Sequence, residues 1–205
     1  MNKSVWRNRR GFTLIEVIVV AAIIAILAGI LVPMIFNQID ESKKTKAAGD
    51  VKTLQQAVAS VRANTLRWPT WSLNGTACEE NVDNYQITAN APVLTGISIG
   101  TGIVAFKEVF AQPKSSTLAT TCYMKYDNPA APTWSGPYLA DDVGLDPWGH
   151  SYIIYVANLN SSVKAPASRW GWVISAGPDG VIDTKIDASA TLVTSGDDIG
   201  IRIQD

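Results

Sequence analysis

An uncharged apolar segment near the N-terminus constrains the fold of this chain more than any other feature. No charged or strongly polar residue occurs between Val17 and Phe36. Twenty residues of helix, rising about 1.5 Å each, would cover the roughly 30 Å hydrocarbon core of a bilayer. Four basic residues precede the segment and none follows it at once: Lys3, Arg7, Arg9 and Arg10. This distribution predicts a cytoplasmic N-terminus, with the chain after about Asn37 in the periplasm or outside the cell.

An ordinary secretory signal peptide shares the basic start and the apolar run, and Ala28-Gly29 is small enough for cleavage. The run is too long for that class, however, and Glu16 stands directly before it. On insertion scales a carboxylate at the middle of a membrane helix costs about 2.5 to 3.5 kcal/mol, and such groups are usually paired. Glu16 therefore requires a partner; the alternative is that its side chain reaches the lipid headgroups of a simple anchor.

Composition limits what the remaining chain can do. The 205 residues are 47% apolar and carry a formal net charge of -1. They can form one globular domain beyond the anchor, and the charge balance provides no basic surface for nucleic acid. The chain has no nucleophile elbow, P-loop or dinucleotide-binding motif, and no nucleophile or metal ligand stands beside its sole histidine, His150. We therefore expect no enzyme activity and interpret His150 as a polar turn residue.

The helix is predicted to continue beyond the membrane segment. Val51, Leu54, Val58 and Val61 repeat at spacings of three and four, with polar residues between them. This pattern predicts an amphipathic helix to near Asn64 whose apolar stripe packs beneath a sheet. The charged residues of 40–44 are expected at the membrane interface, solvated or in contact with other subunits.

The C-terminal part has the pattern of an antiparallel sheet. Asp146-Pro147-Trp148-Gly149 has turn chemistry. It precedes two runs rich in β-branched and aromatic residues, Ser151–Val156 and Trp170–Ser175. These runs predict an antiparallel pair, with Ile199–Ile203 as a third strand.

The middle region, residues 67–137, predicts loops, one short helix and a hairpin. Its two cysteines, Cys78 and Cys122, form no C-x-x-C motif, so a disulfide is expected if the domain is exported, and free buried thiols are the alternative. The tryptophans of this region are expected to pack rather than to stack on carbohydrate: Trp68, Trp71 and Trp134.

The residues from Arg10 to Val17, Arg-Gly-Phe-Thr-Leu-Ile-Glu-Val, followed by the apolar run, resemble the class III signal of type IV pilins and type II secretion pseudopilins. The resemblance implies that a prepilin peptidase cleaves after Gly11 and methylates the new N-terminal Phe12. It further implies that the amine of Phe12 on a neighbouring subunit neutralises Glu16 and sets the register of assembly. Pro33 is then a candidate for local melting of the helix within a filament, or a tolerated kink without a role.

The C-terminal block, from the Asp146 turn through residues 175–180 to Asp197-Asp198-Ile199, resembles the major pseudopilin of type II secretion. That resemblance implies one structural calcium ion bound by these groups: the side chains of Asp179, Asp197 and Asp198, and the carbonyls of Ala176 and Ser195. Calcium prefers six to eight oxygen ligands, which glycine-rich acidic turns can supply. The segment 181–195 is longer than the family pattern, which leaves Asp183 and Asp187 as rival ligands; solvated turns without a metal are the alternative.

Together these features predict an α+β, pilin-like fold in which a long N-terminal helix packs against a small antiparallel sheet. The predicted parts are a leader (1–11), a transmembrane and polymerisation helix (12–36), its amphipathic continuation (37–66), the middle region (67–137), and the sheet with the acidic loop (138–205).

Three functions remain in view. The first is a pseudopilus subunit that polymerises to support protein export; the second is a type IV pilin of a surface fibre for adhesion, twitching motility or DNA uptake; the third is a membrane-tethered binding module that does not polymerise. The expected partners are copies of the chain, minor pilin-like subunits, prepilin peptidase, an inner-membrane assembly platform and lipid. The expected location is the bacterial inner membrane, single-pass, and a periplasmic or extracellular filament.

The cleavage prediction has a direct chemical readout. Removal of 11 residues from the 205-residue chain leaves 194, beginning with N-methylated Phe12. Mass spectrometry of the N-terminal peptide from cells with prepilin peptidase should find this residue. An N-terminus near Gly29 would instead indicate an ordinary signal peptide.

Overall fold

The computed structural model describes residues 11–74, 77–80, 84–86, 103–105, 110, 135–139, 143–159, 170–184 and 196–204. The chain divides into two units, Met1–Ser42 and Lys43–Asp205. Helix α1, Leu14–Thr65, contains 52 residues and is continuous through Pro33. It has an acidic residue, Glu16, in its first turn and a basic one, Arg62, in its last, as the helix dipole favours.

The first part of α1 has the length and composition of a membrane span. Its most apolar 18-residue window has a mean hydropathy of 3.0, and none of that window is buried within the protein. The side chains from Val17 to Phe36 are exposed in all directions around the helix. A helix that is apolar all round is suited to hydrocarbon rather than to water.

The second part of α1 buries the predicted stripe. Besides the four predicted residues, the buried side chains of this part are Ala47, Ala57 and Thr65. The stripe joins a core cluster with Tyr152 and with residues of the C-terminal strands, among them Ile154, Val173 and Ile203. The prediction that this face packs against a sheet is confirmed.

Seven strands follow α1 in the described residues: β1 (Trp71–Asn74), β2 (Ala77–Glu80), β3 (Asn84–Gln86), β4 (Ile103–Ala105), β5 (Ile153–Tyr155), β6 (Trp170–Ser175) and β7 (Ile199–Gln204). Strands β1 and β2 form a two-stranded antiparallel sheet. The others form a five-stranded sheet in the order β4-β3-β5-β6-β7. The predicted α+β fold is therefore confirmed, and a hairpin does occur in the middle region.

The three predicted C-terminal strands pair as expected. Strand β5 is antiparallel to β6, with Ile154 opposite Val173. Strand β6 is antiparallel to β7, with Ser175 opposite Ile199. The first strand is shorter than the predicted 151–156, because Ser151 instead forms an isolated bridge with Leu145 that closes the preceding turn, and a 3-10 turn begins at Ala157.

Strands β3 and β4 enlarge the sheet beyond the prediction. Strand β3 pairs antiparallel with β5, and β4 pairs parallel with β3. Each contains three residues. Such short segments carry too little alternation to be recognised from sequence.

Two polar contacts connect α1 to the sheet across long distances in sequence. The hydroxyl of Tyr152 donates to Asp50 Oδ2 at 2.8 Å, and Gln55 Nε2 donates to the carbonyl of Arg202 at 2.9 Å. Tyr152 is completely buried. Burial and the neighbouring Asp50 carboxylate, which accepts the hydroxyl hydrogen bond, raise the pKa of Tyr152 well above its ordinary value of 10.

The raised pKa of Tyr152 predicts an alkaline destabilisation. Above pH about 10 the unfolded chain loses the phenolic proton while the folded chain keeps it, so the free energy of unfolding should fall by up to about 1.4 kcal/mol per pH unit from this residue. Denaturant unfolding of the full chain in detergent should show a smaller fall for Tyr152→Phe. Tyr155→Phe, at the last residue of β5, is the matched control. Equal slopes for Tyr152→Phe and the wild type would contradict the prediction.

Candidate functional site

The start of α1 is organised by a reciprocal contact between Thr13 and Glu16. The backbone N–H of Thr13 donates to Glu16 Oε2 at 2.8 Å, and its hydroxyl donates to the same oxygen at 2.7 Å. In return, the Glu16 N–H donates to Thr13 Oγ1 at 3.3 Å. This is a capping box, which satisfies N–H groups that have no partner within a helix. Glu16 therefore has a partner within its own chain, supplied by the residue three positions before it.

The predicted cleavage site is accessible beside this cap. Gly11 is exposed, and Phe12 is 88% exposed.

The sequence interpretation of Glu16 considered a partner on a neighbouring subunit and missed the local one. The Thr-x-x-Glu spacing directly before an apolar run was the signal that would have found it.

A second candidate site lies in the loop between β6 and β7. Asp179, Asp183 and Asp197 each offer one carboxylate oxygen, and these oxygens all lie within 4.8 Å of one another. Asp197 Oδ2 also accepts from the N–H of Asp179 at 3.3 Å. Asp179 in turn accepts from the N–H of Val181 at 2.8 Å. Carboxylates this close repel one another in the absence of a cation, so the arrangement is suited to a metal ion.

The register of the sheet explains why residues far apart in sequence meet here. Ser175, the last residue of β6, is opposite Ile199, the first residue of β7. The chain leaves β6 and returns to β7 at the same end of the sheet, whatever the length of the loop between them. Gly177, at a φ of 66°, lies so near Asp197 that a Cβ there would be 2.5 Å from the Asp197 carbonyl oxygen. Such an approach requires glycine.

Asp198 occupies a different position from the other three aspartates. It is 6% exposed, and its Oδ2 accepts from the N–H of Thr184 at 2.6 Å. Its Oδ1 is buried and has no hydrogen-bond partner among the described residues. Burial raises the pKa of this carboxyl. A buried carboxylate oxygen without a donor is costly, and a bound cation would satisfy it.

The turn before β5 contacts the acidic loop. Asp146 is buried, and its Oδ1 accepts from the N–H of Trp148 at 3.1 Å and of His150 at 2.7 Å. Its Oδ2 accepts from the hydroxyl of Ser175 at 2.7 Å. The His150 ring reaches the carbonyl of Gly177, with 3.0 Å between Nδ1 and the oxygen. The turn predicted from sequence is therefore hydrogen-bonded to the end of β6 and to the loop that follows it.

Among the remaining predicted site residues, Ala176 is buried at the start of the acidic loop. Three lie outside the described residues: Cys122, Asp187 and Ser195. The backbone of Cys78 lies in β2, and its side chain is outside the description. The disulfide, the short helix of the middle region and the Ser195 carbonyl ligand stay predictions.

A comparison with protein families bears on the first of these sites. A family model described as "Prokaryotic N-terminal methylation motif" matches residues 6–32. The match includes Gly11, Phe12 and Glu16 together with much of the apolar run. The N-terminal segment is therefore similar to a prokaryotic N-terminal methylation motif, as its resemblance to a prepilin-type signal predicted. The observed capping box therefore lies within the methylation motif.

Several curated relatives of this chain share one description. "Type II secretion system core protein G" of Pseudomonas aeruginosa is 38% identical over 63 residues, which is 31% of this chain and 44% of the relative. The protein of that name in Dickeya chrysanthemi is 34% identical over 64 residues, 31% of this chain and 42% of the relative.

The protein of that name in Escherichia coli K12 matches much more of the chain. It is 23% identical over 180 residues, covering 88% of this chain and 89% of the relative. The first two matches thus span less than half of those relatives' length, whereas this one extends over most of both proteins. No solved structure matches the chain at a significant level.

Proposed function

We propose that this chain is a structural subunit of a type II secretion pseudopilus, which polymerises through its N-terminal helix to support protein export. The observation that carries the proposal is the similarity to a core protein G, because it covers 88% of the chain. The methylation motif alone covers only residues 6–32. The structure supports it with a membrane-length apolar helix whose second part forms the core of a small sheet domain. The role is structural rather than enzymatic.

In this proposal the subunit is first inserted in the inner membrane. The N-terminus faces the cytoplasm, where prepilin peptidase cleaves after Gly11 and methylates Phe12, and the sheet domain faces the periplasm. An inner-membrane assembly platform then adds the subunit to a filament that also contains minor pilin-like subunits. In the filament Pro33, which lacks an N–H, is the point at which α1 opens most easily.

We propose that assembly adds an ion pair to the capping-box hydrogen bonds of Glu16. Before assembly, Thr13 provides the Glu16 carboxylate with hydrogen bonds inside the apolar environment. In the filament, the α-amino group that cleavage creates on Phe12 of a neighbouring subunit provides a positive charge. An ion pair in a medium of low dielectric constant is much stronger than in water, so this contact can fix the axial register.

We further propose that the acidic loop binds one calcium ion. Asp179, Asp183 and Asp197 would provide side-chain oxygens, with the carbonyls of Ala176 and Ser195 and the buried Oδ1 of Asp198 as further donors. Oxygen donors alone, most of them anionic, suit a hard cation such as calcium. The bound charge would neutralise the carboxylates and hold the loop to the end of the sheet, so binding would stabilise the fold.

The charge of Glu16 can be tested separately from its cap. Glu16→Gln keeps a capping-box side chain, since glutamine serves in this motif, but removes the negative charge. The variant should insert into the inner membrane in normal amount and fail to form filaments in a pseudopilin assembly assay by electron microscopy. Glu79→Gln, an exposed glutamate of β2, is the matched control and should assemble. Normal filaments from Glu16→Gln would show that capping alone accounts for the residue.

The position of those filaments separates the proposed function from a surface pilus. Immunogold labelling should find them across the cell envelope rather than on long surface fibres. A surface location would favour the type IV pilin alternative, which shares the methylation motif.

Calcium should raise the thermal stability of the full chain in detergent. At a calcium concentration 100 times the dissociation constant, the folded state gains about 2.7 kcal/mol, which corresponds to roughly 5 to 10 °C for a domain of this size. Differential scanning calorimetry should show this shift in the wild type and in Glu79→Gln but a much smaller one in Asp179→Asn. An unchanged midpoint in the wild type would rule the metal site out.

A further inference from the structure

We infer that His150 is a positioning residue for the acidic loop: its ring holds the loop in the shape that receives the cation. The inference rests on the metal site proposed above and adds a residue that is not itself a ligand. It assigns a role to the sole histidine of the chain, for which the sequence indicated only a polar position in a turn.

The ring of His150 contacts the acidic loop at two glycines. A carbonyl oxygen can only accept, so the 3.0 Å contact with the Gly177 carbonyl requires the proton on Nδ1. On the other edge of the ring, a Cβ at Gly180 would lie 2.7 Å from Nε2. The ring therefore packs against a residue that has room for it only as glycine. Both ends of the Gly177–Gly180 turn are thus in contact with one side chain.

Four residues close a circuit of hydrogen bonds around this contact. Asp146 accepts from the His150 backbone N–H through Oδ1 and from the Ser175 hydroxyl through Oδ2, each at 2.7 Å. Ser175 Oγ accepts from the N–H of Gly177 at 3.3 Å, and the Gly177 carbonyl accepts from the His150 ring. Asp146 and Ser175 are buried, so the circuit is largely protected from water. Satisfied buried networks of this kind fix one conformation of the groups they contain.

The segment that the circuit holds is the one that touches the proposed ligands. Gly177 lies against Asp197, since a Cβ there would be 2.8 Å from Asp197 Oδ2. Two residues later, the N–H of Asp179 donates to that same oxygen. Ala176, whose carbonyl is a proposed ligand, directly precedes Gly177. A shift of the Gly177 carbonyl would therefore displace donors on both sides of it.

The role of the His150 ring is separable from the role of its backbone. The turn uses the backbone N–H and carbonyl of His150, which contact Asp146. A substitution that removes the ring leaves these turn contacts possible and removes the contact with the loop. Groups that orient metal ligands without binding the metal typically contribute 10- to 100-fold to affinity.

Calorimetric titration of calcium chloride into the full chain in detergent tests the inference. His150→Ala should lower the affinity about 10- to 100-fold. His150→Asn should restore most of it, because the asparagine amide can place an N–H where Nδ1 lies and donate to Gly177. His150→Gln is the matched control, since it keeps the same amide but carries it one bond further from the backbone. A purely structural loss would not follow this order.

The outcomes distinguish this inference from the metal proposal. Wild-type affinity in His150→Ala, or equal affinities in the Asn and Gln variants, would overturn the role of His150 while leaving the metal site in place. If His150→Ala also lowers the melting temperature without calcium, its loss of affinity is not specific to the loop contact. The calcium affinities of His150→Asn and His150→Gln then decide whether His150 positions the loop. No binding by the wild type, with the same result for Asp179→Asn, would remove the metal proposal and this inference with it.

Discussion

The constraint on which the fold depends is that one helix has to suit two surroundings. The first part of α1 is apolar in every direction and suits hydrocarbon. The second part is apolar along one stripe and has to be covered by protein. The strands, together with Tyr152 directly before β5, provide that cover in a cluster that also includes Leu54, Val58 and Ile154. Two polar contacts, from Tyr152 to Asp50 and from Gln55 to Arg202, then fix the position of this part of the helix against the strands.

Much of this could be predicted from sequence because long patterns carry it. The apolar run, the stripe on α1 and the three C-terminal strands each repeat a signal over several residues. Strands β3 and β4 contain three residues each and are fixed by pairing with β5, so no local pattern marks them. The Thr13–Glu16 cap also carries a local motif, Thr-x-x-Glu before an apolar run, and so could be predicted from sequence.

The acidic loop shows where sequence reasoning ends. That Asp179 and Asp197 would be neighbours followed from the resemblance, whereas Asp183 was predicted only as a rival ligand, and its place beside them depends on tertiary structure. Asp198 was predicted as a ligand with Asp197 because the resemblance implies an acidic pair at this position. In the structure its Oδ2 accepts from the N–H of Thr184, and only its Oδ1 is left without a hydrogen-bond partner among the described residues. The contribution of His150 likewise depends on a contact 27 residues away in sequence, which no local pattern reveals.

The long sequence separation between α1 and the strands that cover its apolar stripe affects the order in which the chain folds. Asp50 and Tyr152 are 102 residues apart, and Gln55 and Arg202 are 147 apart. Contacts of such separation form slowly, because a long loop has to close before they stabilise anything. During synthesis the stripe therefore emerges well before the strands that will bury it. Over that interval the nascent chain has an uncovered apolar surface directly after its membrane-length segment, and exposed apolar surface of this kind favours aggregation.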